Sequence, residues 1–152
     1  MTPEDKLAAL GLELPPISMP LASYIPTRLR DQVLHLSGQG PLRNGRPEYQ
    51  GKVGTDLTLE QGQEAARLTA LNALATIRSE LGELSRIKAV LSMTAYVACD
   101  PDFHFQHLVM NGASDLLVEV LGDAGRHARV AIGTNVLPLN LPVEISLIVE
   151  VH

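Results

Sequence analysis

The chain has little to stack with and nothing to staple with. Trp is absent, Tyr and Phe number three and two, and Cys99 is the single cysteine. With so few rings the core has to be built from Leu, Val, Ile and Ala, and platforms for stacking bases or sugars are not expected. One thiol excludes an internal disulfide, so the fold must hold without covalent staples, which suits a reducing compartment. No run approaches the roughly 20 apolar residues that span a bilayer. The acidic start Met1-Thr2-Pro3-Glu4-Asp5-Lys6 has no apolar region of a signal. Cytoplasmic location without membrane contact is the expectation. Positive charge is in the minority, 12 Lys and Arg against 17 Asp and Glu, giving a formal net charge of −5. That balance disfavours long-range attraction to nucleic acid, and the pairs Arg28/Arg30 and Arg43/Arg46 read as solvated surface at turns. No Gly-x-Ser-x-Gly elbow, dinucleotide fingerprint or phosphate loop occurs. The options left are cofactor-free acid–base chemistry on a small molecule, or ligand binding alone.

What is present suffices for one domain: 152 residues, 45% of them hydrophobic. Residues 1–20 read as an N-terminal extension, with Thr2 capping a short helix, Pro3 at its first position, Leu7 and Leu10 on its apolar edge and Gly11 as its stop. Pro15, Pro16 and Pro20 then impose an extended run, and the domain proper occupies 21–152. Tyr24 to Leu29 and Gln32 to Gly38 read as strands joined at Arg30-Asp31. Thr58-Leu59-Glu60-Gln61 is a capping box that opens a helix to about Leu81, with Ala66, Ala70, Ala73, Leu74, Ile77 and Leu81 as its buried stripe. A long alternating strand follows over Ile87 to Ala98. A second helix runs from about His104 to Leu121 with Gly112 as an interruption, and two strands near Ala128–Leu137 and Val143–Val151 close the chain. This order predicts a two-layer α+β domain, a mixed sheet with two main helices on one face.

Two charges stand out. Arg129 and Glu144 each sit in the middle of a predicted strand with apolar neighbours on the alternate positions, so an arginine and a carboxylate are expected on one side of the sheet. Guanidinium holds a carboxylate through two parallel hydrogen bonds, and a nearby Glu can shuttle a proton. A structural ion pair and a ligand clamp are both open, and the small Ala131 and Gly133 beside Arg129 favour a cavity. Glu144, Ser146 and Ile148, joined by Thr94, Tyr96, Ala131 and Gly133, form a face too apolar to stay wet, which a second copy of the chain is expected to cover. Ser37-Gly38-Gln39-Gly40-Pro41 is either a plain turn or a set of ligand-facing amides. His104 and His107 with Asp100 and Asp102 match metal-site spacing poorly. His35 and His127 read as packing or hydrogen-bonding residues, and Cys99 as a buried small hydrophobe.

The chain from about Leu21 onward resembles the RidA/YjgF family in Tyr24, Ser37-Gly38-Gln39-Gly40-Pro41, Asp102-Phe103, Asn111, Ala128-Arg129, Leu137-Pro138 and Val143-Glu144-Ile145. The resemblance implies a chorismate-mutase-like fold with a six-stranded mixed sheet, assembled as a homotrimer. It implies hydrolysis of reactive 2-imino or enamino acids to 2-oxo acids and ammonia, with no metal or organic cofactor. Arg129 would grip the substrate carboxylate, Glu144 would orient or activate water, and Tyr24, Ser37, Gly38 and Asn111 would line a pocket between subunits. Ala131 stands where the family often has a cysteine. Two rival readings are a non-catalytic trimer that binds small carboxylates and regulates a partner, and an endoribonuclease. Against the latter stand the charge balance, the scarcity of aromatics and the absence of a histidine pair around Arg129.

Overall fold

Local chemistry sets the longest element first. In the computed structural model, which describes residues 1–152, the Thr58 hydroxyl accepts from the Gln61 amide at 3.1 Å and the Gln61 side chain accepts from the Thr58 amide at 2.9 Å. This reciprocal cap, a device that stabilises a helix by about 1 kcal/mol, opens helix α2 (Leu59–Leu81), which Gly82 stops at a φ of 91°. All six residues of the predicted stripe are buried. A shorter capped helix α1 (Pro3–Ala9) precedes it. The α1 helix is docked, since Leu7 is in the core and the Glu4 carboxylate accepts from the Leu84 amide at 2.8 Å.

The strands are β1 (Thr27–Arg30), β2 (Val33–Leu36), β3 (Leu42–Arg43), β4 (Arg46–Pro47), β5 (Ile87–Ala98), β6 (Ala128–Thr134) and β7 (Val143–Val151). Five of them form one sheet in the order β1-β2-β7-β5-β6, with β6 parallel to β5 and every other pair antiparallel. The sheet therefore has five strands and not six. The β3 and β4 strands make a separate ribbon around Asn44-Gly45, whose φ values of 54° and 76° suit a tight hairpin turn. The β1 strand starts at Thr27 and not at Tyr24, because the chain bends over 21–24 and Pro26 has no amide to pair.

Helix α2 and helix α4 (Asn111–Leu121) cover one face. Val143, Ile145, Leu147, Val149 and Val151 of β7 all point into the layer between, together with Met93, Ala95 and Val97 of β5. Each such Val, Ile, Leu or Met side chain contributes about 1.5–3 kcal/mol on burial. Strict alternation in β5 breaks near Leu91, where irregular pairing with β7 turns Val90 inward and leaves Leu91 exposed. The second predicted helix is split at Met110 into α3 (Gln106–Val109) and α4. Gly112 is a contact point there, not the break: a Cβ on it would overlap the Gln63 carbonyl oxygen of α2.

Candidate functional site

Glu144 projects from β7 on the face that no helix covers, opposite Tyr96 of β5 and in line with Ile132 of β6. Its carboxylate is half-buried and accepts no hydrogen bond within the chain, and burial without a cation raises its pKa above the ordinary carboxylate range. The glycine-rich turn lies directly against it. Gln39 and Ile145 exchange backbone hydrogen bonds at 2.7 and 3.0 Å, which draws Gly38 so close that a Cβ there would sit 2.9 Å from Glu144 Oε2. Ser37 donates its hydroxyl to the Ile25 carbonyl at 2.6 Å, tying the segment before β1 to the end of β2. Tyr24, Ser37, Gly38 and Glu144 thus converge on one cavity of about 360 Å³.

The turn is held from behind by residues that sequence reasoning missed. Asn72 of α2 donates to the Gly40 and Leu42 carbonyls at 3.0 and 2.8 Å, and Thr76, one turn later, donates to Gln39 Oε1 at 3.3 Å. Both are buried, with Thr69, on a helix face otherwise mostly of Ala and Leu. A polar pair four residues apart inside an apolar helix stripe was the available signal, because such groups need partners across the interface. Gly38→Ala places a methyl against the Glu144 carboxylate, whose flexible end can swing away, so the fold survives while the acid is displaced. The expected result is an unchanged melting temperature, measured by calorimetry.

Arg129 lies elsewhere. It pairs with Met93, whose side chain is in the helix-covered core, and in a ladder directly paired residues point to the same face. Arg129, Ala131 and Gly133 therefore face the helices, where Ala131 packs against the core and a Cβ on Gly133 would meet Cys99 Sγ and Gln106 Nε2, each at 2.9 Å. Within one chain Arg129 and Glu144 are on opposite faces, three residues and two strands apart, or roughly 14 Å between Cα atoms. The expectation of a shared side is thus overturned. Single alternation patterns fix in and out along a strand but not which of the two faces a neighbouring edge strand presents. Val130 and Ile132, 54% and 51% exposed, take the places on the Glu144 face expected for Ala131 and Gly133.

The Arg129 guanidinium donates through Nη1 to Asn111 Oδ1 at 3.2 Å and Ser114 Oγ at 3.0 Å, and through Nη2 to the His107 carbonyl at 3.0 Å. The predicted Asn111 is thereby brought to Arg129, while Ser114 was not foreseen. Ser114 is itself held at 2.9 Å by His127 Nε2, whose Nδ1 lies 2.7 Å from the Gly125 carbonyl. A carbonyl only accepts, so Nδ1 carries a proton, and in neutral His127 the Ser114 hydroxyl donates to Nε2. Two histidines thus do come near Arg129, contrary to expectation, but one contributes only its backbone and the other has both ring nitrogens engaged. No carboxylate pairs with Arg129. Three of its five donors are used by neutral groups, and donors on Nε and Nη2 are left over, an arrangement that suits an anion. His104, His107, Asp100 and Asp102 do not gather into a cluster that could hold a metal, and no helix is long and apolar enough to cross a membrane.

A two-layer α+β domain with a bare sheet face, an unpaired half-buried acid beside a glycine turn, and an arginine with free donors on the edge strand is the class that fold and site define. The chain belongs to the YjgF/chorismate mutase-like, putative endoribonuclease family, whose model matches residues 4–151. It is 38% identical over 147 residues to the Trypanosoma cruzi protein TCP17, covering 96% of this chain and 92% of that one. Among solved structures it is similar to Agrobacterium tumefaciens Atu1372, of unknown function, at 43% identity, TM-score 0.92 and coverage of 99% and 92% of the two chains. A Shewanella oneidensis protein described as a putative endoribonuclease matches at 39% identity and TM-score 0.96 over 99% of this chain and all of that one. Escherichia coli TdcF, at 17% identity and TM-score 0.63, shares the fold.

Proposed function

We propose that the protein hydrolyses small 2-imino acids to 2-oxo acids and ammonia in a homotrimer, at sites built across the seam between protomers. The observation that carries this reading is that one chain holds two unfinished halves of a site: an acid with no cation and an arginine with no anion, on opposite faces. A symmetric assembly can bring the edge strand of one copy to the bare face of the next, so that Arg129 from one protomer meets Glu144 from another. The exposed Val130 and Ile132 on the unpaired edge strand support it, since apolar side chains there gain from being covered.

The chemistry needs only these parts. The free donors of Arg129 take the substrate carboxylate and orient the C=N carbon over the Glu144 pocket. The Glu144 carboxylate accepts a proton from water as its oxygen bonds to that carbon, and the proton passes to the imine nitrogen, giving a carbinolamine. Glu144 then takes the hydroxyl proton and hands it to the amine nitrogen, so that as the C=O forms the C–N bond breaks, ammonia leaves and the carboxylate is regenerated. A carboxylate whose pKa is raised by burial is a better proton acceptor than an exposed one and suits such a relay. The ribonuclease reading has less to rest on, because Glu144, an anion, is the one charged residue lining the cavity. Imines generated in situ from amino acids by an oxidase, with ammonia release followed, test the proposal. Acceleration over the uncatalysed rate is the expected result. Saturable binding of a 2-oxo acid with no acceleration would instead point to a regulatory binder.

A further inference from the structure

The cavity that begins at Glu144 is larger than a three-carbon acid requires. At about 360 Å³ it holds the bulk volume of about a dozen waters and falls in the range of pockets that enclose whole small ligands. A short substrate would leave most of it filled with water. Beyond Glu144 its wall is uncharged, and much of it is supplied by residues 18–24, where the N-terminal extension meets the domain. Met19 and Leu21 there are 74% and 73% exposed, apolar side chains at the cavity mouth with almost nothing to pack against in the chain.

The opposite wall carries a second sign. Leu139 and Asn140 both hold left-handed backbone, at φ of 60° and 58°, a conformation that a branched residue such as Leu adopts at a cost. It is held by cross-braces: Gln50 Nε2 donates to the Leu139 carbonyl at 2.9 Å, and the Gly51 amide donates to the Asn140 carbonyl at 2.8 Å. A plain linker between β6 and β7 would not need such bracing, whereas a loop that presents an apolar side chain to the cavity at a set angle does. Leu139 is among the lining residues.

We infer that this cavity receives the aliphatic side chain of a five- or six-carbon 2-imino acid, with Met19, Leu21 and Leu139 setting the preference. The inference rests on the function proposed above and names its substrate class. An acidic side chain would meet Glu144 with no cation in the wall. A basic one would compete with Arg129 for the carboxylate end by pairing with Glu144, and burial of its charge elsewhere in the cavity would have no partner. A branched aliphatic chain displaces the water and touches apolar walls on both sides.

Equilibrium binding of two 2-oxo acids, pyruvate and 4-methyl-2-oxopentanoate, decides the matter without requiring turnover. Wild type is expected to bind the six-carbon acid at least about tenfold more tightly than pyruvate, from the added apolar contact. In Met19→Ser/Leu21→Ser, whose sites are exposed, the affinity ratio should shrink at least about threefold. Equal affinities in wild type, or a ratio unmoved in the variant, overturn the inference while leaving the deaminase reading intact. Failure of both acids to bind, or pyruvate binding insensitive to Arg129→Ala, sinks the reading itself and the inference with it. Dissociation of the assembly in the double variant, seen by sedimentation, would mean that these residues cover a neighbouring protomer and would also overturn it.

Discussion

Arg129→Ala is expected to lower kcat/KM for every 2-imino acid by about a thousandfold, because it removes two charge-assisted hydrogen bonds to the substrate carboxylate at once. The loss should appear mainly in substrate binding, and 2-oxo acids should no longer titrate the site. Folding is a separate matter. The three partners left behind, Asn111, Ser114 and the His107 carbonyl, are not fully buried, so water can take the place of the guanidinium and the melting temperature should fall by a few degrees at most. Arg129→Lys keeps the charge but not the planar fork, and should recover only a small part of the lost activity. Turnover by Arg129→Ala at more than a tenth of the wild-type rate would show that the carboxylate is held by something else.

Glu144→Gln should cost about a hundred- to a thousandfold in kcat, the usual range for losing a general acid–base group, and its pH dependence is the more telling readout. Burial without a cation lifts the Glu144 pKa above its ordinary value of about 4.5. Wild-type kcat/KM should therefore fall as pH drops through that raised value, and the residual activity of the Gln variant should lack this limb. Stability should move in the opposite sense. A carboxyl whose pKa is higher in the folded than in the unfolded chain contributes stability below the unfolded value, and that contribution is lost as pH rises through the folded one. At neutral pH the native chain thus carries a half-buried, unpartnered charge, and Glu144→Gln should melt higher than wild type. The advantage should vanish below about pH 4.5. A variant less stable than wild type at pH 7 would mean that a cation, Arg129 of the next protomer included, pairs directly with Glu144 in the assembly and leaves no room for a substrate between them.

Much of the scaffold is legible in the chain itself, because its signals are local. The Thr58 capping box, the Ala66-to-Leu81 stripe and the alternation of Val143 to Val151 each report on neighbours within a few residues, and each reappears in the structure. Signals that depend on partners further away were lost. The inward turn of Val90 depends on irregular pairing with β7, and the split at Met110 on how α3 and α4 pack against α2. The orientation of Arg129 is the instructive case. Its alternation with Val130 is plain in the sequence, but β6 is joined to the sheet only through β5, and a one-residue difference in register exchanges its two faces. Ser114 and His127, which fix the guanidinium, have no motif of their own and become visible only when α4 lies beside β6.

The proposed chemistry requires a site shared between two copies of the chain. Arg129→Ala and Glu144→Gln chains, each inactive alone, can be mixed in equal amounts, unfolded and refolded together. In a randomly mixed trimer a site is whole when its arginine comes from a Glu144→Gln chain and its acid from an Arg129→Ala chain, so about a quarter of wild-type activity should return. If the mixture stays as inactive as its parents while the hybrid trimers are shown to form, Arg129 and Glu144 do not meet across a seam, and the proposed site is wrong.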